Sequence, residues 1–275
     1  MAEIVARCGR VPGGYRRTGA SPRCFPIGPT LLDDRQGMAP GCCEVTYNSA
    51  PRALPSGWGV GEMAPRMQSA GTAGIVAGIA LAVAFVLFLT SGLMQVLGDP
   101  AKALDYFTKN AGRLQLMTAL FVIAVAFAVV FVVGLAAKLH DRTPTRASAT
   151  LYFGLLGLAG HGLGSLIFWA AIPALVAYAA TDQVAAGHAW VAVQALDGAA
   201  DGMGNLFVGL SALMAGWAIV TTKVLSPVLG WVGVIVGVAG LAVFVSPQNE
   251  LLATASFVLP IIWLIWAGNA LRTAA

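Results

Sequence analysis

The stretch from Leu114 to Ala137, LQLMTALFVIAVAFAVVFVVGLAA, carries no charge at all. It is longer than the ~20 residues a helix needs to cross a hydrocarbon layer of ~30 Å. It is also the clearest of six long apolar stretches between Gly71 and Leu271. Lipid offers no hydrogen bonds, so a spanning segment satisfies its backbone either as a helix or in a closed barrel. These runs are too long and too uniformly apolar for barrel strands. Composition agrees, with 58% hydrophobic and 10% charged residues, far from the soluble mixture. The expected fold class is therefore all-α: a polytopic membrane helix bundle with six transmembrane helices and a disordered N-terminal tail. Approximate spans are 71–97, 114–138, 150–180, 202–222, 227–246 and 251–271.

Residues 1–66 are unlike the rest, and the expected domain division is 1–66 and 67–275. The tail holds all four cysteines (Cys8, Cys24, Cys42, Cys43), eight arginines and no lysine, and eight of the fourteen prolines. Pairs such as Gly13-Gly14 and Ala39-Pro40 read as turn or coil. The basic start is followed by no apolar stretch of the ~7–15 residues that a secretory signal needs. The cysteine spacing lacks the paired C-x₂-C knuckles of a zinc site. A disordered extension fits. So does a mis-assigned start: arginine, glycine, proline and alanine are what GC-rich DNA yields upstream of a true start, and Met63 and Met67 precede the first apolar run.

Basic residues set the expected orientation. Arg66, Lys138, Arg142, Arg146, Lys223 and Arg272 fall on one side of the six spans, and Lys102, Lys109 and Arg113 on the other. Positive charge favours the cytoplasm, which places both termini there and the chain in a plasma (inner) membrane. The connection Asp99–Arg113 alternates charge in the manner of a short amphipathic helix on the outer surface. The bilayer is the expected partner. Nothing resembles a basic stripe with interleaved aromatics, so no nucleic-acid partner is expected.

The polar groups that fall near the membrane are few. Asp197 and Asp201 are four residues apart, and Asn205 extends the same helical face. Carboxylates in a membrane are costly and often mark an ion path. With a fourth span ending at Thr222, however, Asp201 sits at the outer interface and Asp197 beyond it. A solvated helix entrance is the first expectation, and a polar vestibule built from Asp197, Asp201, Asn205 and His161 is the second. His161 shares a face with Ser165 inside the third span. That pair lacks an orienting third group, so a histidine bonded to a neighbouring helix is expected rather than a nucleophile. His161, His188, Asp197 and Asp201 are acceptable metal ligands, but their spacing specifies no site. H-E-x-x-H, G-x-x-x-x-G-K-[ST] and G-x-S-x-G are all absent. The membrane part lacks cysteine, which excludes thiol redox chemistry and cysteine ligation there. No cofactor, no metal and no enzymatic activity are expected.

Glycines recur at helical spacing: Gly74 and Gly78; Gly154, Gly157, Gly160 and Gly164; Gly230, Gly233, Gly237 and Gly240. Small residues in such rows let helix backbones approach, within the chain or across a homo-oligomer interface. Trp217, Trp231 and Trp266 lie toward one end of their spans, as in an aromatic belt. Pro173 and Pro260 fall inside spans, where each removes a backbone bond.

Gly216-Trp217, Lys223 and Pro227-Val228-Leu229-Gly230, with the closing Ile265-Trp266-Ala267-Gly268, give the C-terminal half a recognisable pattern. It resembles a bacterial family of six-helix membrane proteins catalogued as domain of unknown function 4386, over residues 67–275. The resemblance implies a bundle in the plasma membrane and supplies no catalytic residue. The functional expectation is a non-catalytic membrane component, with small-solute or ion permeation through the acidic face as the alternative and an intramembrane enzyme a distant third.

Overall fold

A computed structural model describes residues 60–274, with side chains from Met67 to Ala274. Of the tail expected to be disordered, residues 1–59 lie outside the described residues, whereas residues 60–66 belong to the first helix, which also holds the alternative starts at Met63 and Met67. Six helices follow one another: α1 (Val60–Leu89), α2 (Pro100–His140), α3 (Pro144–Ala179), α4 (Gln183–Thr222), α5 (Pro227–Val245) and α6 (Glu250–Thr273). All six are long and apolar enough to cross a membrane, and the described residues hold no strand. The expected all-α membrane bundle is the fold observed.

Each helix packs on its successor, and α6 returns to α1, which closes a six-membered ring. The ring is apolar outside, and alanine recurs among its buried positions. Ile79, Val86, Leu163, Leu166, Ile235 and Val238 are all at least half exposed. The buried positions include Ala77, Ala212, Ala215, Ala218 and Ala267. Large aliphatic side chains facing outward are tolerable only where the solvent is hydrocarbon.

Glycine makes the seams. A Cβ on Gly216 of α4 would lie 2.6 Å from both Gly230 O and Val234 N of α5. One on Gly268 of α6 would lie 2.6 Å from Gly71 O of α1. Every glycine row noted in the sequence faces a neighbour inside the ring in this way.

The two ends differ. One, here the basic end, carries the α2–α3 and α4–α5 connections. There Lys138 donates to Ala274 O at 3.2 Å, and Arg146 to Thr221 Oγ1 at 2.8 Å. The half-exposed Trp217, Trp231 and Trp266 ring this end, as the belt expectation required. The other, the extended end, overshoots. α5 has 19 residues and α4 has 40, or ~28 Å against ~60 Å at 1.5 Å per residue.

That overshoot departs from the expected spans. α4 begins at Gln183, not 202, because Asp182 caps it by accepting from Ala185 N at 2.9 Å and no helix breaker follows. α2 begins at Pro100, with Asp99 accepting from Ala101 N and Lys102 N. The expected amphipathic segment is its first part, joined to the rest through a single non-helical residue, Asn110. Its apolar side, Leu104 and Phe107, is buried against α3 and α4 and does not lie on a membrane surface. α1 stops at Leu89, earlier than expected. Thr90 and Ser91 turn their hydroxyls back onto Val86 O and Phe88 O, and Gly92 takes the left-handed φ of 76° that ends the run. A short 3₁₀ turn, Leu93–Gln95, then leads toward α2.

Candidate functional site

The ring is filled at the basic end by one buried cluster and at the extended end by a second around Phe107, Ile172 and Trp190, with cavities between them. Phe131 of α2 meets Trp263 of α6 edge-on, with ring centroids 5.7 Å apart. Leu135, Leu139, Ile219, Leu229 and Leu271 are fully buried beyond them. Above this plug lies a cavity of about 100 Å³ bordered by all six helices, with His161, Asn205, Ser256 and Pro260 on its wall. Beyond that is a second cavity of about 350 Å³, bordered by α1, α2, α3, α4, α6 and the 3₁₀ turn. Leu81, Phe121 and Phe257 line both. The two form a vestibule on the ring axis, stopped at the basic end.

Its polar wall is where α3 meets α4. Gly157, Gly160 and Gly164 bring the helices together: a Cβ on Gly160 would lie 2.8 Å from Gly204 N and 2.9 Å from Ala200 O. Gly204 leaves room for the imidazole of His161, since a Cβ there would meet the ring at 2.6 Å. His161 Nδ1 then stands 3.2 Å from Asp201 Oδ1, so the ring N–H donates to the carboxylate and fixes the tautomer. Asp197, one turn away on α4, shares this face, and Gly164 lies against both carboxylates. Asp197 and Asp201 border the larger cavity, while His161 and Asn205 border the smaller. Both acids border the larger cavity, and the Asp201 side chain stays 46% exposed.

Other polar groups on this wall are turned inward on their own helices. Ser165 borders the larger cavity, but its hydroxyl donates to His161 O at 2.8 Å and not to the imidazole. Asn205 donates to Asp201 O at 3.0 Å. Gln194 ties α4 to the 3₁₀ segment by donating to Leu97 O at 3.1 Å. His188 is an exposed residue of α4 well before the acids and borders neither cavity. No group of three or more His, Cys, Asp or Glu fit to hold a metal exists among the described residues.

The remaining wall is aromatic, and sequence reasoning missed it. Phe85 of α1 stacks on Phe257 of α6 with centroids 5.4 Å apart. Phe168 and Trp190 meet at 6.0 Å, and Phe121 stands edge-on to His161 at 6.1 Å. Trp190 carried a usable signal: Ala186, Trp190, Asp197 and Asp201 fall on one helical face. Limiting the fourth span to membrane thickness hid it.

A family model described as Domain of unknown function (DUF4386) matches residues 76–267. Comparison with curated proteins and with solved structures gives no match.

Proposed function

The chain belongs to the DUF4386 family, with the match reaching from α1 to α6, and on that premise we propose that it is a non-catalytic membrane protein that binds a small cationic solute in its axial vestibule. The observation that carries this reading is the pair of carboxylates, Asp197 and Asp201, set on one wall of a 350 Å³ cavity inside the ring. A carboxylate in such a place is costly unless it meets a cation or a donor. His161 supplies one donor to Asp201. The plug at the basic end favours binding from one side over an open pore. The direction of the Ser165 hydroxyl favours a non-catalytic role, because a serine nucleophile needs its proton directed at the base.

Five Lys and Arg residues, Lys138, Arg142, Arg146, Lys223 and Arg272, gather at the basic end. This supports a plasma-membrane orientation with that end in the cytoplasm and the vestibule mouth on the outer face. The test is calorimetric titration of the full chain in lipid nanodiscs with sodium, potassium, ammonium and phenethylamine salts. Binding of at least one cation, weakened by Asp201→Asn, is the expected result. No heat from any of them, against empty discs as control, overturns the reading.

A further inference from the structure

We infer that the solute is a lipophilic amine: a cation that keeps at least one N–H and carries an apolar body. This rests on the cation-binding reading above and narrows it.

Size speaks first. A cavity of about 350 Å³ falls in the ~300–1,000 Å³ range of small-molecule pockets. It far exceeds what a bare ion fills. A hard cation also calls for about six to eight oxygens around it, whereas both carboxylates here stand on one helix and the facing walls are aromatic. Those walls suit an organic cation. Phenyl and indole faces attract positive charge, and they bury an apolar body as well.

The open carboxylate defines the polar part. Asp197 accepts no hydrogen bond among the described residues and borders the cavity. An ammonium N–H satisfies Asp197 by a charge-assisted bond. A quaternary ammonium does not, having no N–H to give.

The experiment is titration of the nanodisc-embedded full chain with three probes: phenethylamine, its neutral counterpart phenethyl alcohol, and benzyltrimethylammonium. Phenethylamine is expected to bind at least about tenfold more tightly than phenethyl alcohol or benzyltrimethylammonium, the worth of one charge-assisted hydrogen bond. Asp197→Asn is expected to erase that preference. Asp201→Asn serves as the parallel variant should Asp197→Asn fail to yield folded protein. Equal binding of the amine and the alcohol overturns the inference. Asp201-dependent binding of sodium or potassium without amine binding also overturns it, yet leaves the cation reading standing. Silence from every cation removes both.

Discussion

Along the α4–α5 seam the helices touch through glycine; along part of the α1–α6 seam they stand apart on phenylalanine. The difference in spacing follows from the side chains. Between α4 and α5, Gly216 and Gly209 meet Gly230, Gly237 and Gly240, and the backbones come into direct contact. Between α1 and α6 the same holds at Gly71 and Gly268, but further along Phe85 and Phe257 stand between the helices. Hydrocarbon solvent gives helices no hydrophobic reason to associate, so close packing has to hold the bundle. Glycine packing runs along the α3–α4 and α4–α5 seams, and the hollow lies where phenylalanines line the interior. The costly acids lie in the hollow part, where a ligand or water reaches them, and not in the plug.

The sharpest way to break this comparison is to empty the plug. Phe131 is fully buried against Trp263, so Phe131→Ala is expected to cost about 3–5 kcal/mol. Reversible unfolding in mixed micelles reads this directly, and a cost no larger than that of a lipid-facing substitution contradicts the plug. A paired substitution comes next. Gly216→Ala forces a methyl group onto two backbone atoms at 2.6 Å, for an expected loss of about 1–3 kcal/mol. Gly198→Ala, on the vestibule wall, meets nothing within 4 Å and should stay within about 0.5 kcal/mol. If the two glycines respond alike, the seam and the vestibule wall do not differ in packing.

The smallest expected effect is at Asp99, the cap of α2 at the extended end. Its carboxylate is held below the ordinary range, chiefly by the backbone N–H of Lys102 and then by the Lys102 ammonium. A carboxyl with a lowered folded value adds stability that is complete above its unfolded pKa of 3.8. That stability is lost as pH falls from there through the lower folded value. Amide exchange in the first turn of α2 should therefore quicken as the solution is acidified below the ordinary aspartate range, and Asp99→Asn should remove the dependence. A flat profile in the native chain counts against the cap.

Much of the fold was legible in the sequence. Apolar run length gives the number of helices, and Pro227 the start of α5; Pro100 and Pro144 also stand in first turns, ahead of the expected starts at 114 and 150. Membrane thickness misled at the extended end. It sets the least length of a helix, not the greatest, and α2, α3 and α4 run on past it. The site was half legible for the same reason. The shared face of Asp197 and Asp201 follows from their spacing. That His161 meets them, and that Phe85, Trp190 and Phe257 complete the chamber, depends on which helices adjoin in the ring, and periodicity within one helix does not carry that. Ser165 shares a helical face with His161, yet its hydroxyl turned to its own backbone.

The most direct test of a vestibule open at one end and plugged at the other is thiol accessibility in a background freed of Cys8, Cys24, Cys42 and Cys43. Gly198→Cys places a thiol on the vestibule wall where no atom obstructs it. Ala267→Cys places one in the plug at a position with no exposure. A membrane-impermeant maleimide added to sealed vesicles of each orientation should label Cys at 198 from one face only, with phenethylamine slowing the reaction, and leave Cys at 267 untouched from both. Labelling at 267, or none at 198 from either face, would contradict the account.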